Sequence, residues 1–594
     1  MRCTLLVLIV CVGAVFAADT SLTARRSELK KLLADDWEYQ LRTFPELATR
    51  TGDRRYNDQL SDYSPEALAR HIEHQKDLLA RLDAIDTTGF PEQERLNKAL
   101  VARAAREDIE SAKFKEWEMP ANQFYGPHHA FVSLATDSPF DSTKDYENYI
   151  ARLHKVARAF DQVTANMRQG MRDKLMPPKY LLEKVAAQAQ SIADVPAEKS
   201  PFAKPVTQFP ADVSSADQKR LRDEVMAAVK EEVLPAYAKF AKFVKTDYAP
   251  QGRAEYGIWA VPGGKDRYRF AVRTQTTTNL SPEEVHEIGL RNVAEIEGEM
   301  LKIARQQGFS DIKSFNASIR KNEKLYASSG QQLLDLYQKY TDQMSAKLPQ
   351  LFGALPKNKL VVVPMEEFRQ ADAVPADYSI GGGNGSRPGR INVNEYDPQH
   401  RLLLNVEAIA YHEGLPGHHL QFSIAQELDD LPAVRKYGLD YNAFSEGWAF
   451  YSERLGKDVG FYLDPYSDYG RLQNEMWRAV RLVVDTGVHY KHWSRDQMVE
   501  YFREHTAMDE PNIQTEVDRY IAWPAQALSY KIGQMKILEL RDRAKRELGN
   551  KFDLRLFHDA VLGAGPLPME ELETKINRWI EAGKTGGAVS STQR

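Results

Sequence analysis

A proline stands where a metal-binding helix would place its second histidine. The run is Tyr411-His412-Glu413-Gly414-Leu415-Pro416-Gly417-His418-His419, with three imidazoles and one carboxylate in eight positions. A His-Glu pair followed by His four residues later lets one helix offer a cation two neutral nitrogens with a carboxylate beside them. Here the fourth position after His412 is Pro416. In a regular helix His412 and His418 lie roughly 9 Å apart along the axis and point in different directions. That is too far for a shared tetrahedral ion with bonds of about 2.1 Å. The helix cannot be regular, because Pro416 has no N–H and its ring meets the carbonyl of His412. Gly414 and Gly417 flank the break and accept backbone angles other residues resist. A two-residue bulge restores the register between His412 and His418, and bulges inside helices concentrate at functional sites. His419 is the alternative second ligand.

An open catalytic zinc site uses three protein ligands, and His₂Glu is one common set. The segment Tyr441-Asn442-Ala443-Phe444-Ser445-Glu446-Gly447-Trp448-Ala449-Phe450-Tyr451-Ser452-Glu453 supplies the carboxylate. Phe444, Trp448 and Tyr451 recur at helical spacing, so the helix buries one face. Glu446 sits among them, where an unpaired carboxylate is expensive to bury and a cation offsets the cost. Pairing of Glu446 with Arg454 is the structural alternative. Glu453 is either a partner that orients a ligand or a solvated residue. One zinc per chain is the expectation.

Zinc lowers the pKa of water, and a carboxylate alongside can take the proton and deliver it to a leaving amine. Glu413 is the candidate base. A donor to the developing oxyanion is also required, and Tyr530, Tyr520 and His489 are candidates, Tyr530 first among them. Arg387 in a Gly-rich loop, and Arg519 and Lys531 flanking the tyrosines, are candidates to bind a peptide's terminal carboxylate, with Tyr520 beside them. Asp485, four residues before His489, can orient it or a ligand histidine.

These motifs resemble a known family. HEGLPGHH, FSEGWAFYSE and Asn384-Gly385-Ser386-Arg387-Pro388-Gly389, with Arg519-Tyr520-Ile521 and Leu528-Ser529-Tyr530-Lys531-Ile532-Gly533, resemble the bacterial DUF885 proteins. The resemblance runs from about Ser281 to the end of the chain. That family looks like a member of the gluzincin metallopeptidases, alongside thermostable carboxypeptidase and angiotensin-converting-enzyme-like folds. The resemblance implies His412, His418 and Glu446 as ligands and Glu413 as base.

The formal net charge of −5 argues against a nucleic-acid partner. Arg2, the apolar run Leu5 to Val12, and Val15-Phe16-Ala17 before Ala18-Asp19 read as a cleaved export signal over 1–17. The run is too short to span a bilayer. A lipoprotein reading at Cys11 is weaker, since Val10 stands where a small residue is expected. Cys3 and Cys11 are the only cysteines, so the mature chain has no thiol and any metal site uses His and carboxylates. No later segment reads as membrane-spanning, which implies a periplasmic or secreted protein.

The remainder reads as mainly α, with two helical lobes around a deep cleft, gluzincin-like by resemblance, and a small β-sheet near the metal helix. An N-terminal helical region covers 18–277 and a metallopeptidase-like region 278–594. Helical periodicity fills Ser21 to Trp117, Tyr146 to Ala193 and Ser214 to Val244. Asp194 to Ala211, with four prolines, is a loop. Tyr256 to Thr277 alternates aromatic and polar residues, as a short strand or an irregular cleft wall. Ser281-Pro282-Glu283-Glu284 is a capping box that opens a helix to about Gln307. Lys359 to Pro364 and Arg390 to Asn394 are short strands, and an extended peptide can pair with such an edge. The function expected is hydrolysis of oligopeptides. A non-standard amide or isopeptide substrate, or a non-catalytic exported metal-binding protein, are the alternatives, and Glu413 speaks against the last.

Overall fold

The leucine and valine periodicities of the N-terminal third close two helical cores. A computed structural model describes residues 21–366, 370, 373–382 and 387–585, so the expected leader, both cysteines and Asn384-Gly385-Ser386 lie outside the described residues. Helices α1 (Leu22–Thr43), α2 (Pro65–Ala84) and α3 (Glu92–Ser111) bury Leu29, Leu32, Leu33, Leu78, Leu82, Val101 and Ala105 together. A second core gathers α4 (Val156–Asp173), α5 (Lys179–Ala193) and α6 (Leu234–Phe243) through Phe160, Val163, Met167, Val185, Tyr237 and Phe240. The loop expected over Asp194 to Ala211 holds two short 3₁₀ turns.

Tyr256 to Thr277 is not a strand. A 3₁₀ turn at Ile258–Ala260 leads into helix α7 (Gly264–Thr276), whose Arg267, Tyr268 and Val272 are all buried. Burial on more than one side placed aromatic, charged and apolar residues close together and blurred the helical period. Helix α8 (Pro282–Gln306) begins as its capping box dictates: the Ser281 hydroxyl accepts from the Glu284 N–H at 3.2 Å, and the Glu284 carboxylate accepts from the Ser281 N–H at 2.8 Å.

The remaining elements assemble around the segment 412–419. They are α9 (Gly330–Ser345), β1 (Leu360–Pro364), β2 (Ala376–Ser379), β3 (Gly389–Val393), α10 (Val406–Glu413), α11 (His418–Glu427), α12 (Asn442–Asp458), α13 (Pro465–His489), α14 (Glu510–Ala522) and α15 (Ser529–Leu548). The sheet order is β1-β3-β2, with Ile391 opposite Val362 in the parallel pair and opposite Tyr378 in the antiparallel one. Strand β3 is therefore central, and the open edges belong to β1 and to β2. Ile391 and Val393 pack on Leu333 and Tyr337 of α9 and on Ile409 and Ala410 of α10, which seats the sheet against the first motif helix.

Helix α13 is the axis of this half. Its Met476, Val480, Val483 and Val484 share a core with Val293, Ile296 and Met300 of α8 and with Leu181 of α5. The N-terminal helices also reach α14, where Gln123 donates to the Asp518 carbonyl at 2.9 Å and Tyr180 to the Asp518 carboxylate at 3.1 Å. Among the described residues no helix is long and apolar enough to cross a membrane.

Candidate metal centre

The Gly-Pro-Gly run ends one helix and starts another, rather than bulging a continuous one. Helix α10 stops at Glu413 and α11 starts at His418. The Gly417 N–H reaches back to the Tyr411 carbonyl at 2.9 Å, the His419 N–H to the Gly414 carbonyl at 3.1 Å, and the Pro416 carbonyl accepts from the Trp448 indole at 2.9 Å. Gly417 is required by close approach, since a Cβ there would collide with the carbonyl oxygen of His412. The four-residue link turns the chain so that His412, last but one in α10, and His418, first in α11, bring their rings to 5.0 Å at right angles.

Glu446 on α12 completes the group. Its Oε2 lies 3.6 Å from His412 Nε2 and 3.5 Å from His418 Nε2, and the three ligand atoms all lie within 4.8 Å of one another. A tetrahedral cation with bonds of about 2.1 Å spaces its ligand atoms about 3.4 Å apart, so this donor set fits a divalent ion. Arg454 does not pair with Glu446; its partner is Glu475 at 3.7 Å.

The imidazole of His412 is held from behind. Its Nδ1 donates to Glu453 at 2.9 Å, and Glu453 also accepts from Asn474 at 3.2 Å, which leaves Nε2 aimed at Glu446. Burial alone would depress His412, but Glu446 and Glu453 outweigh it and push it up to about 10. Burial likewise opposes the charge of Glu446, yet His412 and His418 hold it well below the usual carboxylate range. A cation taking this place must therefore displace a proton. Glu413, beside His412, has no hydrogen-bond partner among the described residues, and burial pushes its carboxyl up.

His419 faces away from this group. Its Nδ1 accepts from the Tyr378 hydroxyl at 3.0 Å and its Nε2 donates to the Asn358 carbonyl at 3.1 Å, tying α11 to the sheet. Burial brings it down to about 4, the behaviour of a neutral structural imidazole.

Glu446 owes its place to glycine. A Cβ on Gly447 would stand 2.6 Å from the Cα of Gly533, and one on Gly533 would collide with the Ala443 carbonyl. The FSEGW and YKIG segments thus cross backbone to backbone, and α12 sits flush on α15.

Among the described residues, His489, Tyr520, Tyr530, Lys531, Asp485, Arg387 and Arg519 make no hydrogen bond or ion pair with the triad. His489 is clamped between the Ile258 N–H at 3.0 Å and the Tyr520 carbonyl at 2.9 Å, and burial drives it down to about 3. Tyr520 places its hydroxyl among Arg481, Trp477 and Glu516. Lys531 is buried against Glu475 at 3.1 Å and Gln534 at 2.9 Å. Each is consumed by a packing role because a buried polar group needs a partner. Asp485 orients neither His489 nor a triad histidine: it accepts from Tyr268 at 2.7 Å and from the Ala525 N–H at 3.1 Å. Arg387 is exposed and donates to the Ile380 carbonyl at 3.2 Å. Arg519 donates to Gln526 at 2.8 Å and approaches the Tyr530 hydroxyl at 3.4 Å.

Sequence reasoning passed over the Asn474, Arg478 and Arg481 stripe of α13. Asn474, Arg478 and Arg481 recur at spacings of four and three, the signature of one helical face, and all three are buried. Arg478 Nη2 lies 3.7 Å from the Glu453 oxygen that holds His412. A polar stripe inside a helix otherwise rich in Val, Leu and Met was the signal.

Comparison with known proteins gives a family and a fold. A family model described as “Bacterial protein of unknown function (DUF885)” matches residues 45–576. A crystal structure from Colwellia psychrerythraea, described as a “putative lipoprotein”, superposes with a TM-score of 0.89 at 29% identity, covering 94% of this chain and 99% of that one. A protein of Shewanella oneidensis, described as a “putative lipoprotein of unknown function”, shares the fold with a TM-score of 0.70 at 18% identity, over 93% of this chain and 99% of its own. No curated protein matches the chain.

Proposed function

The chain belongs to the DUF885 family, and on that footing we propose that it is an exported, zinc-dependent peptidase acting on oligopeptides, with gluzincin-like chemistry. One observation carries the reading. Two imidazoles on separate short helices and a carboxylate on a third converge at ligand spacing, with the carboxyl of Glu413, unpartnered among the described residues, alongside. A site that only stores an ion has no use for that fourth group.

His₂Glu with an open position suits zinc, and the bound ion supplies Lewis acidity and makes water more acidic. The residues of the chain do the rest. Glu453 and Asn474 keep the Nε2 of His412 facing the ion. Glu413, poised above the usual carboxylate range, takes the proton of the attacking water and returns it to the leaving amine. The Tyr530 hydroxyl donates to the oxygen where negative charge develops.

Export rests on the leader-like sequence over 1–17 and agrees with lipoprotein descriptions of the two similar structures. Cys11 is then the residue a lipid would modify, with a freely secreted or periplasmic form as the alternative outcome.

The deciding experiment measures metal by elemental analysis in the purified chain and in His412→Ala, His418→Ala, His419→Ala and Glu446→Ala. About one zinc per chain is expected, lost in all but the His419 variant. Hydrolysis of a degenerate peptide library by the wild type, abolished in a metal-loaded Glu413→Gln variant, completes it. Wild type that takes up no metal under replete conditions, or a Glu413→Gln variant with full activity, ends the peptidase reading.

A further inference from the structure

Arg478 is 6% exposed, yet its Nε and Nη1 have no hydrogen-bond partner among the described residues. Its one ionic contact is Nη2 to Glu453 at 3.7 Å, and that carboxylate is already engaged by His412 and Asn474. The guanidinium lies 4.4 Å from the ring centre of Trp477, 5.4 Å from that of Phe450 and 5.9 Å from that of Tyr530. Rings orient a guanidinium but do not satisfy its N–H groups.

Two further arginines surround the same tyrosine. Arg481 stands 4.6 Å from the Tyr530 ring centre and keeps Nη1 unpartnered, its other donors going to Tyr520 at 2.9 Å and Glu516 at 3.0 Å. Arg519 reaches the Tyr530 hydroxyl at 3.4 Å and Glu516 at 3.6 Å. Three guanidiniums thus have two carboxylates in ion-pair contact, Glu453 and Glu516, with Glu446 a more distant counter-charge to Arg478. Burying an uncompensated charge is costly, and a bound anion offsets that cost.

We propose that Arg478, with Arg519, binds the C-terminal carboxylate of the peptide, so that the peptidase proposed above is a carboxypeptidase. The inference rests on that reading for its chemistry, but not for the anion site. A guanidinium offers a carboxylate two parallel N–H donors, and each edge of Arg478 joins one unpartnered nitrogen, Nε or Nη1, to Nη2, whose contact with Glu453 is 3.7 Å long. The position of Arg478 near the candidate ligands suits a residue at the end of a peptide: Glu453 bridges it to the Nδ1 of His412, and the Glu446 carboxylate also acts on its charge. The Tyr530 hydroxyl accepts from Arg519 at 3.4 Å, which leaves its single proton for the developing oxyanion.

The test uses one degenerate hexapeptide library, labelled at the N-terminus with fluorescein, in three forms: free C-terminal acid, C-terminal amide, and amide with Glu as the last residue. Anisotropy on the metal-loaded Glu413→Gln protein reads binding without turnover. Mass spectrometry reads cleavage by the wild type. The acid library is expected to bind at least tenfold more tightly than the amide and to lose one residue at a time. In Arg478→Gln the acid preference disappears through a raised KM while metal content stays at the wild-type level. Arg519→Gln, at a partly exposed position, reproduces part of that loss and guards against misfolding of the first variant. Equal binding and cleavage of acid and amide overturns the proposal while leaving the peptidase reading intact. Preference for the Glu-terminated amide over the plain amide, matching the acid, also overturns it, because the site would then read an acidic side chain. Acid-selective binding without cleavage of any library upholds the anion site and ends the peptidase reading.

Discussion

Arg152 and Arg478 are both buried guanidiniums, and they are treated in opposite ways. Arg152, in the helix Thr143–Leu153, is 0% exposed and spends its donors on the carbonyls of Gln59, Pro45 and Tyr56 and the hydroxyls of Thr49 and Ser138. Arg478 is nearly as buried and leaves two of its nitrogens without partners. The first arginine closes the joints between irregular segments of the N-terminal region. The second is held beside a set of candidate metal ligands with donors to spare. Burial alone does not separate a structural arginine from a functional one; the accounting of its N–H groups does.

That contrast can be broken most directly by removing each charge. Arg152→Met is expected to lose about 3–5 kcal/mol, because several buried acceptors are stranded together. Arg478→Met is expected to stay within about 1 kcal/mol of wild type, since the lost charge was itself poorly compensated. Urea unfolding of the metal-free chains compares them, and equal losses would erase the distinction.

Asp485 sharpens the comparison with a buried acid on the same helix as Arg478. Burial raises it to about 7 against the donors Tyr268 and Ala525, so the folded state binds its proton more tightly than the unfolded state. Stability contributed by this group is therefore present at low pH and is lost as pH rises from about 4 to 7. At about 1.4 kcal/mol per unit, Asp485→Asn should gain about 4 kcal/mol relative to wild type across that window. Unfolding titrations at pH 4.5 and 8 check the sign; a flat difference would refute it.

Glu453→Gln tests whether the partner shared by His412 and Arg478 serves the ligand. Metal affinity measured by chelator competition should fall ten- to a hundredfold, and the metal-free unfolding midpoint should fall as well, because His412 and Arg478 lose the carboxylate between them. The smallest expected effect is at the glycine crossing: Gly533→Ala must part α12 from α15 at a cost of about 2 kcal/mol. It should also weaken metal binding, whereas Gly549→Ala, well removed from that crossing, should leave the metal in place.

Local signals carried much of the candidate centre. His412, His418 and Glu446 stood out because imidazoles and a carboxylate sat in apolar helical surroundings around a Gly-Pro-Gly break, and the structure brings these three together. The α8 cap was legible because its two hydrogen bonds lie within four residues. Strand β2 was not, since Ala376–Ser379 is short and polar and acquires its conformation from pairing with β3. The helix break was read as a bulge because spacing alone cannot tell a continuous helix with an inserted loop from two helices meeting at an angle. Arg478 and Arg481 escaped notice for a related reason: a polar stripe at helical spacing usually faces water, and only neighbouring helices reveal that this one does not.

Helix α13 has no side turned to solvent along most of its length, and this sets its rotational phase. Arg471, Asn474, Arg478, Arg481 and Asp485 fall on one stripe, while Met476, Val480, Val483 and Val484 fill the core against α8. Inserting or deleting a single residue before Arg478 turns everything beyond it by about 100°. Guanidiniums would swing into the apolar seam and valines would take their stations beside the metal ligands. Changes of length in this half of the molecule can therefore be absorbed only in the links between helices, and α13 acts as a keyed shaft that admits one setting.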